Sequence, residues 1–153
     1  MDKFYLIKTA KYLKPVSNPC YSEYYDKKEK LVKLMNDRML NRPDINELVG
    51  ENNLDMMKDN HANHARFMAS VFKSFNPEVL VDTVLWVFRA YLSRNFHLNY
   101  WAAQLNTWIE ILREELSDQT FSEIYPIYEW MQVNIPVFVK LSNQDLEYGK
   151  SMH

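Results

Sequence analysis

The chain has 153 residues, a length that suits one domain able to bury a core without disulfides or metals. It is 47% hydrophobic and 25% charged, with a net charge of −2, the balance of an ordinary folded protein. Glycine occurs only as Gly50 and Gly149, which excludes a phosphate loop, a dinucleotide fingerprint, a G-x-S-x-G nucleophile turn and Asn-Gly hairpins, since each needs glycine at fixed places.

Asp2 to Leu13 reads as a first helix, stopped by Pro15, and residues 15–19 as a loop, because proline and the residue before it both resist helix. Ser22 is the expected cap of a second helix reaching Leu40, where Asn41-Arg42-Pro43 breaks it. A short helical turn from Asp44 to Val49 ends at Gly50, a left-handed cap. Asn53 then opens a helix whose apolar stripe is Leu54, Met57, His61, His64, Met68, Val71 and Phe75. The steps alternate three and four, so these side chains share one face. Asn76-Pro77-Glu78 ends that helix and starts the next: Asn caps, Pro takes the first position and Glu meets the positive end. This next helix, to about Ser93, is apolar on most sides and is expected to lie centrally, covered by neighbours. Another helix follows Arg94-Asn95 and runs to about Leu116. Ser117 caps a last long helix interrupted by Pro126 and Pro136, where a kink or break is expected. The expectation is an all-α fold: one irregular, bundle-like helical domain of six or seven helices over residues 1–141, with a polar tail at 142–153.

Cys20 stands alone, so neither an intramolecular disulfide nor a CxxC motif can form. The apolar run before Lys8 is too short for a signal peptide. The longest charge-free stretch, Asn95 to Ile109, contains Asn, Gln and His and does not read as a membrane span. A cytoplasmic protein is the expectation, with no membrane partner. Residues 1–42 hold ten Lys/Arg against five Asp/Glu, and the remainder eight against fifteen. The cluster at Lys27, Lys28, Lys30 and Lys33 reads as a solvated helix face resting on the acidic remainder, and nucleic acid is not the expected partner.

His61 and His64 are the unusual members of an apolar stripe. Buried histidine needs a partner for each ring nitrogen or a changed charge state. At i and i+3 both could reach one ligand, with His97 as a third donor, yet no Glu-x-x-His pair completes a helical di-iron set. Structural histidines bonded to a tyrosine hydroxyl or a carbonyl are the alternative. The aromatics, Tyr91, Tyr100, Trp101, Trp108 and Tyr128 among them, can fill core or line a pocket for a flat apolar ligand. Arg89 on an apolar helix could hold a ligand carboxylate or pair with an acidic side chain. The candidate binding set is His61, His64, Met68, Arg89, His97 and Trp101, and no residue is assigned a catalytic role.

The helix inventory resembles globin-like sensor domains, including those that carry no haem. His64 in a long helix and His97 some thirty residues later look like the distal and proximal histidines of a globin. Ser93 stands where such domains usually have leucine, one turn before the proximal histidine. Trp86 followed by Phe96-His97 is similar to the tryptophan and Glu-His signature of helical domains that cover cobalamin in light-sensing regulators, with Phe96 in place of the glutamate. The resemblance implies a sensory or regulatory domain holding haem or another tetrapyrrole, or none. Three functions therefore stand as expectations: a non-catalytic domain binding a small, mostly apolar ligand, a ligand-free interaction module working as a homo-oligomer or with a protein partner, and a metal-binding enzyme.

Overall fold

Prolines and polar caps set most helix boundaries. The computed structural model describes the backbone of residues 1–151 and the side chains of residues 1–144. Helix α1 (Lys3–Ala10) opens on Asp2, whose carboxylate accepts the Tyr5 N–H at 3.0 Å. It stops short of the expected Leu13. Tyr12 and Leu13 instead close tighter i→i−3 bonds, as Pro15 approaches. Helix α2 (Asn18–Leu40) begins inside the expected loop, with Ser17 rather than Ser22 as its cap. Pro19 lies in its first turn, where a missing N–H costs no helical bond, so this proline starts the helix instead of blocking it.

Helix α3 (Ile45–Val49) ends at Gly50, whose φ of +86° is a conformation L side chains avoid. Helices α4 (Leu54–Lys73) and α5 (Pro77–Leu92) are joined through Asn76, whose side chain accepts the Glu78 and Val79 N–H groups. Helix α6 (Asn99–Glu115) starts later than expected, after a turn at Asn95 with φ +72°. Helix α7 (Asp118–Val133) is capped by Ser117, which accepts the Thr120 N–H, and it continues past Pro126. The expected break falls at Asn134, and Pro136 sits in the first turn of α8 (Ile135–Ser151). The described residues thus form an all-α fold of eight helices, one more than the upper expectation because the last long helix divides in two. The stretch expected as a polar tail is helical up to Ser151, and residues 152–153 lie outside the described residues.

Helix α2 packs on α4, α6 and α7, while α5 packs on α8 and α1. The two groups share an aromatic core, in which Phe88 stacks on Trp101 at 4.2 Å between ring centres and meets Phe138 at 5.1 Å. The basic residues of α2 rest on the acidic end of α6. Lys30 pairs with Glu115 at 2.9 Å, Lys27 donates to the Glu115 carbonyl at 2.7 Å, and Arg38 pairs with Glu114. These contacts are largely solvated and contribute little stability each.

Helix α5 is not the covered central helix that its composition suggests. Leu80, Val81, Val84 and Phe88 are buried, but Val79 is 52% and Trp86 59% exposed. Although α4 and α5 are consecutive, each finds its main partner elsewhere, α4 on α2 and α5 on α8. A gap therefore opens between them, and part of α5's apolar excess lines it.

Candidate functional site

The gap is a crevice of about 340 Å³ between α4 and α5, floored by Trp101, Gln104 and Leu105 of α6. Helix α4 contributes Asn60, Asn63, His64 and Phe67, and the side of α5 facing it carries Val84, Trp86, Val87 and Tyr91. Most of this lining is apolar, and aromatic rings dominate it. Among the described residues no acidic side chain, lysine or arginine borders the crevice. Its polar groups are amides, the Thr83 and Tyr91 hydroxyls, the indole N–H groups of Trp86 and Trp101, of which that of Trp101 is buried without a partner, and one imidazole.

Behind the lining lies a buried polar network. Asn60 Oδ1 accepts from the Tyr100 hydroxyl at 2.7 Å and from Gln104 Nε2 at 3.0 Å. His61 is fully buried. Its Nδ1 donates to Asn36 Oδ1 at 2.7 Å, and its Nε2 lies 3.4 Å from the Tyr100 oxygen. His64 Nε2 and the Tyr128 hydroxyl share a 2.7 Å hydrogen bond, and the His64 ring stacks on Trp108 at 4.9 Å. The Tyr24 hydroxyl and the Trp108 Nε1 are buried without a well-formed hydrogen bond. Burial pushes both imidazoles down to about pKa 3, with His61 adding to the effect on His64, so both are neutral near pH 7.

Of the six candidate residues, the structure brings His64 and Trp101 to the crevice. His61 stands behind it, held by Asn36 with the Tyr100 hydroxyl nearby. Met68 is fully buried on α4 and does not reach the crevice. Arg89 is half-buried on α5 and does not line it either. His97 is exposed just before α6, away from the crevice, beside Arg42, Asp44 and Glu47 of the α3 region. Its backbone N–H donates to the Leu48 carbonyl and its Nδ1 accepts the Asn99 N–H, so it anchors the start of α6 instead of joining the other histidines.

These positions also test the groups that the sequence suggests. A haem held as in a globin needs a histidine nitrogen directed at its iron. Here the Nε2 atoms of His61 and His64 face Tyr100 and Tyr128, and His97 is elsewhere, so these histidines do not fit globin-type haem ligation. Among the described residues, no three His, Cys, Asp or Glu side chains come together as a metal site.

Sequence reasoning missed Asn60, Asn63 and Gln104. Asn60 lies at a core-facing spacing, three residues after Met57 and four before His64, which was the available signal. In comparisons with protein-family models, curated proteins and solved structures, the chain finds no match.

Proposed function

We propose that this chain is a sensory or regulatory helical domain that binds a small, mostly apolar molecule in the α4–α5 crevice without transforming it. The observation that carries the reading is the crevice itself: about 340 Å³ of largely apolar space that the chain's own side chains leave unfilled. Small-molecule sites typically occupy roughly 300–1,000 Å³, are mostly apolar with a few placed polar groups, and often lie between helices of a bundle. Helix α5, one wall of the crevice, packs on α8 and α1, so a ligand that moves this wall acts on both. A competing reading, a ligand-free module working as a homodimer, draws on the exposed Phe4, Val79 and Trp86.

The test is titration with N-phenyl-1-naphthylamine, an uncharged probe that brightens in apolar surroundings. The native chain is expected to bind it saturably at one site. Val87→Trp, which places a ring in the crevice from a half-buried position, should weaken binding at least tenfold while keeping native helicity and melting temperature. Equal binding by this variant, or no binding by the native chain, would contradict the reading, and the latter result would favour the homodimer.

A further inference from the structure

The chemistry of the crevice wall narrows the ligand. We propose that it is an uncharged, flat, fused-ring molecule carrying one small group that both accepts and donates a hydrogen bond, such as a phenol-like hydroxyl; this rests on the binding reading above. Three observations lead there.

The first is shape. Phe67, Trp86, Phe88, Tyr91 and Trp101 present rings to the same space, with the His64 imidazole beside them. Flat apolar ligands gain most from such walls, through offset-stacked and edge-on contacts. About 150 Å³ of dry apolar cavity suffices for a single benzene ring. The observed 340 Å³ therefore suits two or three fused rings.

The second is charge. Among the described residues that line the crevice none carries a formal charge at neutral pH: the His64 imidazole, bonded to Tyr128 and stacked on Trp108, stays unprotonated, and burial raises the Tyr91 hydroxyl further above neutrality. A carboxylate or phosphate entering here would give up its hydration with no cation to receive it, and an ammonium would find no anion. Fatty acids and other anionic lipids are disfavoured on this ground.

The third is the placement of the polar groups. Asn60 and Asn63 lie beside the Tyr91 hydroxyl, next to Gln104, so the amides gather in one part of the crevice. Asn60 Oδ1 already accepts two hydrogen bonds and its side chain also bonds the Tyr91 hydroxyl, whereas the Nε1–H of Trp101, on the crevice floor, is buried without a partner. Gln104 donates through Nε2, which leaves its Oε1 as an acceptor. A ligand hydroxyl can accept from the Trp101 Nε1–H and donate to Gln104 Oε1, whereas a ligand without one leaves the indole N–H unmatched.

Displacement of bound N-phenyl-1-naphthylamine tests the inference with 2-naphthol, 2-naphthoate and naphthalene at pH 7. The expected order places 2-naphthol at least tenfold tighter than 2-naphthoate and several-fold tighter than naphthalene. Asn63→Lys, at an exposed position on the rim, should reduce the preference over the naphthoate to below threefold by supplying the missing cation. Displacement by 2-naphthoate as effective as by 2-naphthol would overturn the uncharged class while leaving the crevice as a binding site. Naphthalene matching 2-naphthol would overturn the hydrogen-bonding group in the same way. If the probe itself never binds the native chain, the binding reading falls first, and the ligand class with it.

Discussion

His61 and His64 occupy α4 as neutral, hydrogen-bonded groups, and that state has a measurable consequence. In the folded chain both titrate near pKa 3, against an ordinary value of 6.5 when unfolded. Between those values the unfolded chain binds protons that the folded chain does not. Their contribution is therefore fully present above about pH 6.5 and declines as the pH falls. Urea unfolding should show stability dropping by about 2 kcal/mol per pH unit between pH 6 and pH 5, roughly one proton per histidine. His64→Gln, which can still bond Tyr128, should roughly halve that slope; an unchanged slope would mean that these rings are not the titrating groups. At this scale the sequence was partly legible. The 3,4 spacing put both histidines on the inner face of α4, because helical period alone decides that. His97 was not legible, since its role depends on the Leu48 carbonyl and the Asn99 N–H, contacts that chain order does not reveal. Asn60 and Gln104 were hidden for a related reason: an amide gives no hydrophobic signal and is buried only because partners on another helix satisfy it.

Between elements, α2 and α7 cap each other. Glu123 of α7 accepts from Ser17 N and Oγ at the start of α2, at 2.8 and 3.2 Å. Glu23 of α2 accepts from Ser117 N, Ser117 Oγ and Thr120 Oγ1 at the start of α7, at 2.8, 2.7 and 2.7 Å. The Ser17 backbone N–H, then Gln119, brings Glu123 down to about pKa 2. Burial raises Glu23, but the hydroxyl and N–H donors of Ser117 and Thr120 outweigh it and bring it to about pKa 2 as well. Both carboxylates also meet the positive ends of helices. Their stabilisation is present above about pH 4.5 and lost as the pH falls towards 2, a window below that of the histidines. Glu23→Gln should cost about 1 kcal/mol after solvent screening and raise amide exchange in the first turn of α7. Glu123→Gln should do the same for α2; exchange unaffected at either helix start would refute the reciprocal capping. The helices themselves were readable from prolines and caps, as at Asn76-Pro77-Glu78 and Ser117. The start of α2 was not, because Pro19 is compatible with both a loop and a first turn, and Glu123, over a hundred residues away, favours the turn.

For the molecule as a whole, the feature that matters is a mismatch between chain order and packing. Helices α4 and α5 adjoin in sequence but lean on different partners, and the space left between them becomes the crevice. Composition signalled that α5 carries more apolar surface than one buried face needs, and that much was legible. It suggested a helix covered on all sides, because a hydrophobic pattern reports a wish for cover without saying whether protein or ligand supplies it. The four tryptophans make the central claim directly observable. Trp86 and Trp101 line the crevice, whereas Trp130 lies away from it with its Nε1 donating to Thr9 Oγ1 at 2.9 Å. In a two-dimensional ¹H–¹⁵N spectrum recorded during titration with 2-naphthol, the indole resonances of Trp86 and Trp101 should shift saturably while that of Trp130 stays in place. Indole resonances that remain still throughout, or a Trp130 shift equal to the other two, would contradict a ligand seated between α4 and α5.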